Sequence, residues 1–372
     1  MSAVIETETV IVGAGPAGLS VAACLARAGR RFELIERAEA VGSAWRSHYE
    51  RLHLHTDKTH SELPFHPYPR DYPKYPSRDQ LVEYLESYAA AMKLAPRLGE
   101  TVTKAQRGRE HWDVTTSRAT YRAANLVVAT GNAQVPELPE IAGRASFRGE
   151  VIHSSAYRNG APYRGKSVLV VGFGNSGGEI AIDLVEHGAN TELAVRSAVN
   201  VIKREMLGMP VLSATKALGW LPPRLADALS WPVRRLTVGD IRKVGLRELP
   251  YGPMVQVKRT KKIPLIDIGT LALIREGKIK VRTGIARMDR DEVVFDDASR
   301  GRYDAVVLAT GYRPGVAAFL ASDTLDEQGK PRSSGARTAE PGLYYCGFYV
   351  SPYGMLLAIA EEARAISAAI AQ

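Results

Sequence analysis

Cysteine is nearly absent: the 372 residues contain only Cys24 and Cys346, with no CxxC pair. That excludes a disulfide framework, a thiolate zinc site and a dithiol redox pair, and it fits a reducing compartment. No apolar run is long enough to span a bilayer. The Ala-rich C-terminal stretch carries Glu361, Glu362 and Arg364, which argues against a tail anchor. No basic and apolar leader precedes Glu8, so no signal peptide is expected and a cytoplasmic location is. Five of the eight histidines fall between His48 and His66, but without HExxH or regular spacing, so no metal is expected. Lys plus Arg exceed Asp plus Glu by 49 to 40. With no nucleic-acid-binding signature beside it, this excess reads as solvated surface or as a means of holding anionic cofactors. The length suits two domains.

Two Gly-rich turns carry the first positive signal. Thr9–Val12 reads as a buried strand entering Gly13-Ala14-Gly15-Pro16-Ala17-Gly18. A helical segment follows to about Gly29, then a strand Phe32–Ile35 that ends at Glu36 and Arg37. Gly13 permits the tight turn, Gly15 lets a pyrophosphate approach the backbone, and Gly18 lets the helix pack closely. The helix N-terminus offers unpaired N–H groups. A carboxylate at Glu36 accepts ribose hydroxyls and disfavours a 2′-phosphate, so FAD or NAD fits.

Lys166–Val171 and Gly172-Phe173-Gly174-Asn175-Ser176-Gly177 repeat the pattern, with a helix through Leu184 and a strand ending at Arg196 and Ser197. A guanidinium at that point pairs with a 2′-phosphate, with Ser197 and Lys203 or Arg204 as helpers, so this turn reads as an NADPH site. Two such sites in one chain are the layout of a pyridine-nucleotide-dependent flavoenzyme.

Ala129-Thr130-Gly131 and Ala309-Thr310-Gly311 each end a buried strand. They mark where the chain crosses between domains. The expected fold is α/β, with two Rossmann-like dinucleotide-binding domains, parallel sheets and helices on both faces. An FAD domain comprises 1–150 and 305–372, and an NADPH domain, 151–304, is inserted between them. A strand over Gly342–Gly347 and a last helix opening at Tyr353-Gly354-Met355-Leu356 complete the FAD domain, that helix pointing its N-terminus at the flavin. Residues 206–262 fit neither a strand–helix repeat nor a linker. They suit a substrate lid, a dimer contact or a membrane-surface element.

Phe147-Arg148-Gly149-Glu150-Val151-Ile152-His153-Ser154-Ser155-Ala156-Tyr157 matches the FxGxxxHxxxY pattern between two cradles, and Ala309–Tyr312 matches a late ATGY element. By these motifs the chain resembles the class B flavin-dependent monooxygenases. Tyr49–His55, Glu62-Leu63-Pro64, Tyr72–Ser77, Arg164–Gly172, Ala194–Ser197, Gly252-Pro253-Met254 and Ile263–Gly269 resemble their YUCCA-type branch. The resemblance covers most of the chain and weakens after Tyr312. It implies FAD, NADPH and O2, a C4a-(hydro)peroxyflavin, and oxidative decarboxylation of indole-3-pyruvate, or a related 2-oxo acid, to indole-3-acetate.

The chain departs from the branch at Thr56-Asp57-Lys58, where the branch has LPK, and at Phe348–Tyr353. N- or S-oxygenation, Baeyer–Villiger oxidation and an H2O2-forming NADPH oxidase therefore stay open, as does a nucleotide-sensing binding protein. His55, Thr56, Asp57 and Lys58 are the candidates for flavin and oxygen contacts. Trp45, Arg46, Thr130, Gly131, Asn132, Thr310, Gly311, Gly347, Met355 and Leu356 are the further cofactor candidates. His153 is expected to organise the linker between domains.

Overall fold

In the computed structural model, residues 4–206, 208–338 and 340–372 are described. The chain divides into two compact units. The first comprises Met1–Ser47, Thr56–Val135 and Tyr312–Gln372; the second comprises His48–His55 and Pro136–Gly311.

In the first unit the strand Val4–Val12 lies between Phe32–Ile35 and Thr120–Val128, parallel to both. Leu343–Tyr345 extends the parallel part beside Leu126–Val128. The antiparallel strands Trp112–Thr116 and Val102–Arg107 continue from the other half of Thr120–Val128. Burial follows the pairing. Val4–Thr7 reach solvent, while Thr9–Val12 are enclosed on both faces, as central parallel strands are. The helix Pro16–Arg27 starts with proline at its first position and packs on the last helix, Met355–Ala371. Ser77 and Gln80 form a capping box that starts Arg78–Ala91, which buries Leu81, Tyr84, Leu85 and Tyr88.

The second unit is built on a five-stranded sheet, all parallel: Ile279–Arg282, Asn190–Ala194, Ser167–Val171, Ala305–Leu308 and Glu150–His153 in spatial order. Val168, Val170, Leu193 and Val307 are fully buried in its core. Each such side chain contributes about 1.5–3 kcal/mol.

The boundaries differ from the sequence reading, which put the crossings at 150 and 304. The chain leaves the first unit after Val135 and returns at Tyr312. Phe147 packs in the second unit against Met288 and Phe295, and Ala305–Leu308 is a central strand of its sheet. Residues 48–55 also belong to the second unit: Tyr49 sits in its core, and Arg51 grips Glu186 with two hydrogen bonds of 2.7 and 2.8 Å.

The insertion at 206–262 is mostly helical, with Val211–Ala217, Pro223–Val238 and Pro253–Thr260; Leu207 lies outside the described residues. The helix Pro223–Val238 runs through Pro232, which its composition had argued against. Among the described residues no helix is long and apolar enough to cross a membrane.

Candidate functional site

Each unit holds one Gly-rich cradle, and the two repeat each other in detail. Gly13 has φ +104°, and a Cβ there would lie 2.8 Å from the Ala129 carbonyl oxygen. Gly172 has φ +111°, and a Cβ would lie 2.5 Å from the Ala309 oxygen. A Cβ on Gly18 would fall 1.7 Å from the Gly13 oxygen, and one on Gly177 would fall 2.1 Å from the Gly172 oxygen. In both cradles the first and third glycines are therefore demanded by the protein's own backbone.

The middle glycines differ. A Cβ on Gly15 or Gly174 would meet no described atom within 4 Å. No described atom of the protein therefore demands glycine at these two positions. Gly15 and Gly174 are the N-caps of Pro16–Arg27 and Asn175–Glu186. The first-turn N–H groups of Ala17 and Gly18, and of Asn175, Ser176 and Gly177, have no intrahelical acceptor, which suits an anion. The Asn175 amide oxygen itself accepts the Ile266 N–H at 2.9 Å. Its amide oxygen anchors a neighbouring strand, which leaves its N–H donors for the cradle.

The strand ends carry opposite charges. Glu36 is buried, and its carboxylate accepts the N–H groups of Ala14 (2.7 Å) and Ala38 (3.0 Å) and the Ser43 hydroxyl (3.3 Å). It closes its own loop first, leaving about one lone-pair direction for a ribose. Ser43 had no sequence signal of its own beyond lying beside Trp45. Arg37 donates to the Gln134 side-chain oxygen at 2.6 Å. Arg196 and Ser197 are exposed, and the Arg196 guanidinium has no ion pair among the described residues. Arg247 donates to its main-chain oxygen. The Lys203 ammonium pairs with the fully buried carboxylate of Asp267.

The two ATG turns stand beside the cradles because their strands pair directly with the cradle strands. In the first unit the Thr130 hydroxyl and the Asn132 amide oxygen are buried without a partner. Buried polar groups are nearly always paired, so these two atoms could take a polar ligand group. The Asn132 amide donates to the Gly347 carbonyl at 3.0 Å, and the Gly347 N–H goes to Glu362 at 2.7 Å. Gly131 leaves the backbone open on its own side. Met355 and Leu356 open the last helix behind Gly354. Trp45 and Arg46 lie in a short helix, Ser43–Arg46, and Arg46 is held by the Val41 carbonyl and the Glu86 carboxylate.

In the second unit Thr310 donates to the Glu137 carbonyl, and the Gly311 carbonyl accepts His153 Nε2–H at 3.0 Å. The Ser155 N–H donates to His153 Nδ1 at 3.1 Å. This arrangement needs a neutral imidazole. Burial pushes its pKa down, partly offset by the Gly311 carbonyl. The unfolded chain therefore binds the proton more readily, and stability falls as pH drops below about 6.5 towards the lower folded value. Urea unfolding at pH 7 and pH 5 measures the loss, and His153→Gln is expected to reduce that pH dependence.

The four candidates at 55–58 separate. His55 Nε2 bonds to Glu179, which is 1% exposed on the helix Asn175–Glu186. His55 Nδ1 and the other Glu179 oxygen are buried without a partner. Thr56 shares a hydrogen bond with Ser61. Asp57 caps the turn Lys58–His60. Burial pushes its carboxyl up, but hydrogen bonds from Thr59 and His60 outweigh that and leave it below the ordinary range.

Lys58 spends its three donors on the carbonyls of Pro69 (3.2 Å), Arg70 (2.8 Å) and Tyr72 (2.6 Å). Asp57 and Lys58 thus hold their own loop. Lys58→Met is expected to cost about 1–3 kcal/mol. It should also open 69–72 to limited proteolysis, with cleavage mapped by mass spectrometry.

Residues 10–207 match the family described as pyridine nucleotide-disulphide oxidoreductase. The indole-3-pyruvate monooxygenase YUCCA1 of Oryza sativa subsp. japonica is 41% identical over 348 residues, covering 91% of this chain and 86% of that protein. This chain belongs to the class B flavin-dependent monooxygenases, in their YUCCA-type branch.

Solved structures agree on the fold. A flavin-containing monooxygenase from Stenotrophomonas maltophilia aligns with TM-score 0.74 at 21% identity, covering 98% of this chain and 98% of that one. A cyclohexanone monooxygenase from Rhodococcus sp. Phi1 bound to NADP+ aligns with TM-score 0.74 at 20% identity, covering 98% and 84%. Like its family, this monooxygenase uses FAD and NADPH, with O2 and a small-molecule substrate. It does not use the dithiol chemistry of the broader family's description. Cys24 and Cys346 are both buried and free, and burial pushes the Cys24 thiol up to about 11 and that of Cys346 well above its ordinary value. Exchange chemistry needs the reverse.

Proposed function

We propose that this chain catalyses the oxidative decarboxylation of a 2-oxo acid of the indole-3-pyruvate class. The 2-oxo acid, O2, NADPH and a proton give the acid one carbon shorter, CO2, NADP+ and water. The observation that carries the reading is the reversal of charge between two matched cradles, Glu36 at one strand end and Arg196 at the other. One sign suits the FAD ribose and the other suits the NADPH 2′-phosphate. The names of the relatives supply the substrate class.

Bound FAD would supply hydride acceptance and the activation of O2. The rest falls to the protein. Gly13, Gly15, Pro16, Ala17 and Gly18 would hold the FAD pyrophosphate, with Glu36 and Ser43 at its ribose. Thr130, Gly131, Asn132, Gly347, Met355 and Leu356 would complete the FAD site. Gly172, Gly174, Asn175, Ser176 and Gly177 would hold the NADPH pyrophosphate, with Arg196 and Ser197 at the 2′-phosphate. Glu179 fixes the His55 ring through Nε2, and the buried Nδ1 has no partner among the described residues.

The test is to reduce the purified flavoprotein with NADPH under argon and then mix it with O2, with and without indole-3-pyruvate. Indole-3-acetate formed in proportion to NADPH consumed supports the reading. Stoichiometric H2O2 with no acid product overturns it.

A further inference from the structure

The helix Pro223–Val238 buries an aspartate and exposes three leucines. Asp227 is buried and accepts the N–H groups of Met254 (2.9 Å) and Val255 (3.0 Å), so it caps the neighbouring helix Pro253–Thr260. Arg234 turns inward to the Asn200 oxygen at 3.2 Å and to Glu248. The leucines face outward: Leu225 is 48% exposed, Leu229 56% and Leu236 80%. These positions share one stripe, with exposed Pro232 between them. Trp231 flanks the stripe at 53% exposure, and Trp220, just before the helix, is 81% exposed. These polar contacts, with buried Ala226 and Val238, hold the helix to its unit while its leucines meet water. An exposed apolar stripe of this kind marks a contact surface, and exposed Arg224 stands next to Leu225 on the same helix.

The insertion that carries the stripe is strongly basic. Residues 206–262 hold eleven Lys or Arg against three acidic residues, nearly the whole +9 excess of the chain. The three acids are already used: Asp227 as a cap, Asp240 by Arg235 and Arg242, Glu248 by Arg234. Lys216, Arg224, Lys243, Lys258, Lys261 and Lys262 are exposed with no acidic partner among the described residues.

We propose that this face of the insertion docks on an anionic lipid bilayer, with Leu225, Leu229, Leu236 and the two tryptophans entering the interface and the lysines meeting acidic headgroups. A bilayer satisfies both features at once. Leucine and tryptophan leave water at the boundary between headgroup and acyl chain, and basic residues gain from the surface potential. A twofold pairing of two copies would set one basic face against another, at an electrostatic cost. Nucleic acid would use the cations and leave the leucine stripe in water. The inference does not depend on the substrate assigned above.

The test is flotation of the full-length flavoprotein with phosphatidylcholine vesicles, with and without phosphatidylserine. Binding is expected only with phosphatidylserine, reversed by high salt, with a blue shift of tryptophan emission. Leu225→Gln, Leu229→Gln and Leu236→Gln combined should weaken partitioning about tenfold or more. Lys258→Gln, Lys261→Gln and Lys262→Gln should cost about fivefold for each charge removed at low salt. NADPH oxidation by both variants should stay at the parent rate, which shows that they fold. Three results would overturn the proposal: no flotation with anionic vesicles, a leucine variant that floats like the parent, or a dimer in sedimentation velocity that the leucine variant abolishes.

Discussion

Arg196→Gln raises the KM for NADPH about 10- to 100-fold and leaves the KM for NADH nearly unchanged. The range follows from removing a charge-assisted hydrogen-bonding group worth about 1.5–3 kcal/mol. The guanidinium is exposed at the end of the strand Asn190–Ala194 and carries no ion pair of its own among the described residues, so nothing inside the protein is lost with it. Arg196→Lys should recover only part of the affinity, because an ammonium lacks the planar fork. Steady-state kinetics with both nucleotides decides it. Equal rises for NADPH and NADH would mean that Arg196 acts on the cradle as a whole and not on the 2′-phosphate.

The second large effect separates two glycines three residues apart. Gly18→Ala puts a Cβ 1.7 Å from the Gly13 oxygen, backbone against backbone, with no flexible side chain to yield. The helix Pro16–Arg27 must withdraw from its strand, at about 3 kcal/mol. The protein should be recovered in low yield and poor in flavin. Gly15→Ala meets no described atom within 4 Å, and its φ of −82° is one that alanine adopts freely. The flavin-free variant should therefore be as stable as the flavin-free parent, while FAD content falls sharply. The ratio of 450 nm to 280 nm absorbance, with thermal unfolding of the flavin-free proteins, reads both. Gly174→Ala should likewise raise the KM for NADPH with flavin content intact. If Gly15→Ala purified with full flavin, the open side of Gly15 would not be where the pyrophosphate lies.

Much of this was legible in the sequence because the decisive signals are local. A β-branched run, three glycines at fixed spacing, a helix and a charged strand end are contiguous, so Gly13 to Glu36 and Gly172 to Arg196 identify two nucleotide cradles without any knowledge of the fold. The FxGxxxHxxxY segment and the ATG strands are equally contiguous, and they were enough to name a family. What the linear pattern does not encode is which partner a side chain reaches across the chain. Lys58 is a chemically suitable group beside a cofactor segment, yet it is consumed by carbonyls 11 to 14 residues away. Arg46 pairs with Glu86, and Lys203 with Asp267.

Only the folded chain pairs His55 with Glu179, 124 residues apart. It also gives Glu36 to its own loop, through Ala14, Ala38 and Ser43, before any ribose. The unit boundaries were likewise decided in three dimensions. Residues 48–55 join the second unit through packing of Tyr49 and the Arg51–Glu186 pair, neither of which leaves a periodic trace. The helix Pro223–Val238 shows the same limit from the other side. Periodicity would bury its leucine stripe, and tertiary contacts of Asp227 and Arg234 turn that stripe outward. Local spacing determined the cofactors and the class of chemistry, because backbone turns and strand ends are short-range. Long-range pairing decided which polar groups remain available to act, because each can satisfy only a few hydrogen bonds and the fold spends them first.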